Sequence, residues 1–156
     1  MVELVPAPSS SSAKKFQVPL ETAVQSEVIA HCLEDAADAE APVIPLPIVD
    51  EDTLALVLEF MNILVTKAEE GKEEEERKKR FFDDLWKTSG MTTVYAVLNA
   101  GLYMNIQKLR STGCQWIADH MTGMTTEQMR ETFGFVDDFT PEEKQRVTEE
   151  NAWAYS

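Results

Sequence analysis

One stretch, Val43-Ile44-Pro45-Leu46-Pro47-Ile48-Val49, limits the fold more than any other part of the chain. Each proline pushes the residue before it toward β or polyproline geometry, so the stretch is extended. Two prolines exclude a central strand, where their missing N–H groups would interrupt the ladder. Only an edge strand is left.

Around it the pattern is mostly helical. Val2 to Val5 and Phe16 to Val18 read as two short strands of a small hairpin, with Ser9-Ser10-Ser11-Ser12 as a flexible polar turn. From Leu20 to Asp35, Val24, Val28, Ile29, Cys32 and Leu33 recur at helical spacing; Ser26 inside that run is a cap that would split it into two short helices. Asp38 to Ala41 is a polar break. Asp50 then precedes a helix with Leu54, Val57, Leu58, Met61, Leu64 and Val65 on one stripe, and Leu56, Phe60 and Ile63 on a second. Such a helix must be covered on most sides.

Residues 66–80 carry the charge run Glu73 to Glu76 and Arg77 to Arg80 without an apolar stripe, and are expected to be a solvated mobile loop with at most a fluctuating helix. Phe81 to Trp86 re-enters structure. Gly90 precedes a helix from Thr93 to Met104, in which Gly101 implies close approach of a neighbouring element. A helix from Ile106 to Met121 ends at Gly123. Thr125 with Gln128 forms a capping box for a short helix that Gly134 terminates. Thr140, Pro141 and Glu143 start a last helix, on which Val147, Asn151 and Ala154 share a row while Trp153 and Tyr155 project elsewhere. No single core-facing stripe accounts for those apolar groups, so some are expected to await a partner.

Phosphate affinity comes from clustered Lys and Arg, and here 28 acids outnumber 14 bases two to one for a net charge of −14, so no nucleic-acid partner is expected. A basic protein surface is the natural complement. No apolar stretch approaches a membrane span, and no leader pattern of basic, apolar and cleavage regions stands at the start, so neither a membrane nor secretion is expected. Cys32 and Cys114 are too few for a disulfide framework and read as reduced, buried thiols.

No catalytic constellation emerges. His31 beside Cys32 and Asp119 beside His120 are neighbours that diverge around a helix, so neither pair is a preorganised dyad. Two histidines and two scattered cysteines lack metal-ligand spacing, and the dispersed glycines form no phosphate loop. The expectation is a binding protein with no cofactor, not an enzyme.

The run Gly123-Met124-Thr125-Thr126-Glu127-Gln128-Met129-Arg130-Glu131-Thr132-Phe133, then Asp138 to Glu143, then Glu149-Glu150-Asn151-Ala152-Trp153, resembles in order and spacing the C-terminal signature of the Skp adaptors (S-phase kinase-associated proteins). Phe16-Gln17-Val18, Leu33-Glu34-Asp35, Ile44-Pro45-Leu46-Pro47 and Tyr103 with Asn105-Ile106 resemble the family's earlier segments. The resemblance implies a mostly helical α/β fold of BTB/POZ type over 1–121 and a helical F-box-binding extension over 122–156. It implies the adaptor of an SCF-type E3 ubiquitin ligase, which bridges a cullin, and through it a RING subunit, to F-box substrate receptors in the cytoplasm and nucleus. By position, F-box contacts would come from Ile106, Leu109, Ile117, Met121, Met129, Phe133, Phe139, Val147, Asn151 and Trp153, and cullin contacts from Leu102, Tyr103 and Met104. A homodimer is expected when no F-box partner is bound.

The chain also departs from the family pattern. Leu102 stands where an Asn usually precedes the tyrosine, Phe82-Asp83 replaces a usual Trp-Asp, Trp86 stands where a Phe is usual, and Glu59-Phe60-Met61-Asn62 replaces a Trp-Cys-His type. These departures put the weight of the reading on F-box capture. The alternative is a structural scaffold in a cullin-free F-box complex of kinetochore type; an elongin-C-like adaptor is disfavoured because that family lacks the extension.

Overall fold

The structure is a computed structural model that describes residues 1–7, 15–36, 42–66 and 72–154. The readings for Ser9 to Ser12, Asp38 to Ala41, 67–71 and Tyr155 lie outside the described residues. Packing divides the chain into two units, Met1–His120 and Met121–Ser156.

In the first unit, β1 (Val2–Pro6) pairs antiparallel with β2 (Phe16–Val18) and parallel with β3 (Val43–Leu46), in the order β2-β1-β3. The proline strand is therefore an edge. It alternates as an edge strand with one buried face should: Val43 and Pro45 are exposed, Ile44 and Leu46 buried. Glu3 of β1, opposite Gln17, accepts from the Gln17 amide at 2.9 Å and the Lys15 ammonium at 2.7 Å.

The helical run after β2 is split as its cap requires. Helix α1 (Leu20–Ala23) stops, and α2 (Glu27–Asp35) begins with the Ser26 hydroxyl accepting from the Ile29 amide. Helix α3 (Glu51–Val65) is capped by Asp50 in the same way. The first stripe of α3 is buried through Leu54, Val57 and Met61; of the second, Phe60 is buried while Leu56 and Ile63 are half-buried. Helix α4 (Lys72–Tyr103) is broken at Gly90, whose φ of 76° and ψ of −179° suit only glycine. Helix α5 (Gln107–Met121) follows.

Residues 72–80, expected as part of a loop, are instead the first turns of α4. The correction has a physical basis: Lys78 is only 1% exposed, and its ammonium is held by Glu74 and Glu75 one turn earlier. Burial lowers the affinity of that ammonium for its proton, but bonds and charge from the two glutamates outweigh it and leave the pKa raised. Cys114 is exposed and Cys32 half-buried, so the expectation of two buried thiols fails: the apolar stripe of α5 runs through Leu109, Gly113 and Trp116, not through Cys114.

An aromatic ladder ties α3, α4 and α5 together. The Phe60, Phe81 and Phe82 rings lie 5.3 to 5.9 Å apart, Phe82 stacks on Trp116 at 6.0 Å, and Trp116 lies 3.9 Å from the His120 ring. The Trp116 indole donates to Asp83 at 2.8 Å, which satisfies its one polar atom.

The second unit holds α6 (Thr126–Phe133), α7 (Pro141–Glu150) and a 3₁₀ turn at Ala152–Ala154. Both capping boxes form, Thr125 with Gln128 and Thr140 with Glu143, and Gly134 ends α6 in the left-handed region at φ 71°. Phe133 is the buried anchor of α6, with Phe135 6.2 Å from its ring.

Candidate functional site

The four residues Lys144, Val147, Thr148 and Asn151 follow i, i+3, i+4, i+7 spacing and so share one face of α7 and its end. With Thr126, Glu127 and Arg130 of α6 and with Phe139 of the connection, they line a groove of about 480 Å³. Its apolar groups are accessible: Phe139 is 48% exposed and Val147 43%. Burying groups of this kind contributes about 25 cal/mol per Å², so the face stands to gain from being covered.

Charge sets the shape of this groove. Asp137 forms ion pairs with Lys144 of α7 and, at 3.6 Å, with Arg130 of α6, while the Arg130 guanidinium lies 5.8 Å from the centroid of the Phe139 ring. The bond from Lys144, helped by the Arg130 charge, holds the Asp137 carboxyl below its ordinary pKa despite slight desolvation. One carboxylate thus links the two walls. The Asn151 amide nitrogen donates to the Val147 carbonyl at 2.7 Å, which leaves the amide oxygen to accept from an incoming N–H.

The ten residues expected to meet an F-box are not all on surfaces. Phe139, Val147 and Asn151 come together in the groove, and Trp153, 76% exposed, follows in the 3₁₀ turn. Ile117, Met121 and Met129 are half-buried. Ile106, Leu109 and Phe133 are buried. Leu109 is pinned by Gly101, where an added Cβ would lie 2.5 Å from a Leu109 methyl carbon.

The three cullin candidates likewise differ. Leu102 is 57% exposed at the end of α4. Tyr103 lines a cleft with Ile48, Val49, Thr53 and Ala100. Met104 is buried, and its carbonyl accepts from the Ser26 hydroxyl at 2.6 Å. Arg130, Asp137 and Lys144 were missed in the sequence; the only signal is opposite charges flanking the turn at Gly134, which many surface turns share.

Among the described residues no His, Cys, Asp or Glu cluster has the makings of a metal site, and no helix is long and apolar enough to cross a membrane. Residues 9–65 match the tetramerisation domain of the Skp1 family and residues 107–154 its dimerisation domain. SKP1-like protein 12 of Arabidopsis thaliana is 37% identical over 147 residues, covering 94% of this chain and 93% of the relative. SKP1-like protein 1A of the same plant is 37% identical over 152 residues, covering 94% of each. The small sheet flanked by helices is a BTB/POZ-type α/β fold, and the chain belongs to the Skp1 family, with the general role of an SCF-type adaptor.

Proposed function

We propose that the chain is a non-catalytic bridge that holds an F-box substrate receptor with its second unit and with α5, and a cullin with the junction around Leu102 and Tyr103, leaving ubiquitin transfer to other subunits. The observation that carries this reading is the accessible apolar face of Phe139 and Val147 beside the Asn151 amide, followed by exposed Trp153. Recognition is of the helix-in-groove kind, in which a few buried aromatic and aliphatic anchors dominate affinity. Direct contacts fall to Ile117, Met121, Met129, Phe139, Val147, Asn151 and Trp153; the buried Ile106, Leu109 and Phe133 shape the helices that carry them. The role goes with a cytoplasmic and nuclear protein that self-associates when no receptor is bound. Calorimetric titration of an F-box protein tests it: Trp153→Ala should weaken binding by about 2 kcal/mol or more, and unchanged affinity overturns the assignment.

The second reading, a cullin-free scaffold, is favoured by Leu102, an exposed apolar side chain where relatives usually carry Asn. Recovery from native lysate of F-box proteins without cullin would support it.

A further inference from the structure

The charged start of α4 borders a groove. Arg77, Arg80, Phe81, Asp84, Leu85 and Thr88 recur at i, i+3, i+4, i+7, i+8, i+11 and line one groove of about 410 Å³. Its other wall is Leu56, Glu59 and Ile63 of α3, at i, i+3, i+7. Two helices that present parallel stripes to the same open channel form the seat of a third helix. The channel lies wholly within the first unit and shares no residue with the proposed F-box or cullin contacts.

Charge identifies the occupant. The groove's apolar lining is Leu56, Ile63, Phe81 and Leu85; along α4, Arg77 and Arg80 precede Asp84 by roughly one to two turns, and Glu59 stands on the α3 wall. Among the described residues none of these four charged groups is in an ion pair, although the neighbouring Glu74 and Lys78 pair with each other. Charges that rim an apolar channel and form no ion pair among the described residues are complementary to a ligand that carries the opposite pattern. From Arg77 to Thr88 the stripe spans roughly 17 Å, or about three helical turns.

We propose that the α3–α4 groove is a docking site for an amphipathic helix of a partner protein, with a carboxylate at the end facing Arg77 and Arg80, and a lysine or arginine about one turn further on facing Asp84.

The test is panning of a phage-displayed library of helical peptides about 16 residues long on the full chain, with counter-selection on the Arg77→Glu/Arg80→Glu variant. Arg80 is exposed and Arg77 half-buried, and the variant's circular dichroism and thermal unfolding establish that it is folded. The expected result is an enriched family with apolar residues at i, i+3 or i+4, and i+7 and the acid-then-base order, whose synthetic member binds the variant at least tenfold more weakly than the parent chain. No enriched family overturns the proposal, as does a family that binds both forms equally. Self-association of the parent chain in sedimentation, lost in the variant, assigns the groove to a second copy and also overturns it.

Discussion

The Ser26 hydroxyl donates to the Met104 carbonyl at 2.6 Å and at the same time accepts from the Ile29 amide, so one buried oxygen caps α2 and closes the end of α4. The neighbouring Glu27 carboxylate accepts from Asn105 and, at 2.9 Å, from Gln107. Asn105 takes a φ of 49°, which Asn tolerates better than most residues, and this sets the turn from α4 into α5. The junction that carries Leu102 and Tyr103 is thus braced from the opposite end of the chain. Ser26→Ala removes both bonds and leaves a buried carbonyl unpaired; it should cost about 2 kcal/mol. Urea unfolding should show a lower midpoint with an unchanged m value.

Gly113 lies on the buried face of α5, where an added Cβ would meet a Leu98 methyl carbon at 2.2 Å and the Phe82 ring at 2.9 Å. Gly113→Ala gains helix propensity of about 1 kcal/mol, but overpacking of a filled core costs about 1–3 kcal/mol. The clash should win. A lowered melting temperature checks this, and a rise would mean that the Phe82–Trp116 stack yields without cost.

The Asp50 cap of α3 predicts a pH dependence. The Thr53 amide at 2.9 Å, and after it the Thr53 hydroxyl at 2.7 Å, hold this carboxyl below its ordinary 3.8 against partial desolvation. A carboxyl depressed by folding binds fewer protons in the native state, so its contribution is present above the unfolded pKa near 4 and is lost as pH falls through the folded value. Asp50→Asn keeps a capping oxygen but no titration. The stability difference between parent and variant should shrink from pH 6 to pH 3; a difference constant over that range contradicts the assignment.

Local chemistry was legible in the sequence. Pro45 and Pro47 forced β3 to an edge, Ser26 split the helical run, and Thr125 and Thr140 placed the starts of α6 and α7, because each device acts within a few residues. What was not legible depends on distant packing. Nothing near Lys78 announces that a lysine in a charge run is buried, and nothing near Cys114 shows that α5 turns Trp116 inward instead. Ile106, Leu109 and Phe133 illustrate a related limit: position alone cannot tell an anchor that holds a helix from one that meets a partner.

Leu102 is accessible beside a cleft lined by Tyr103, so Leu102→Asp should weaken cullin binding by tenfold or more while F-box affinity and melting temperature stay unchanged. Surface plasmon resonance with each partner separates the two effects. Loss of both affinities would mean that the junction of α4 and α5 has been disturbed.

The bridge itself is tested most directly by chromatography with light scattering on the purified chain mixed with one F-box protein and one cullin. The account predicts a single species with the summed mass of one copy of each, which does not form when this chain is omitted. Co-elution of the F-box protein with the chain while the cullin elutes alone would contradict it.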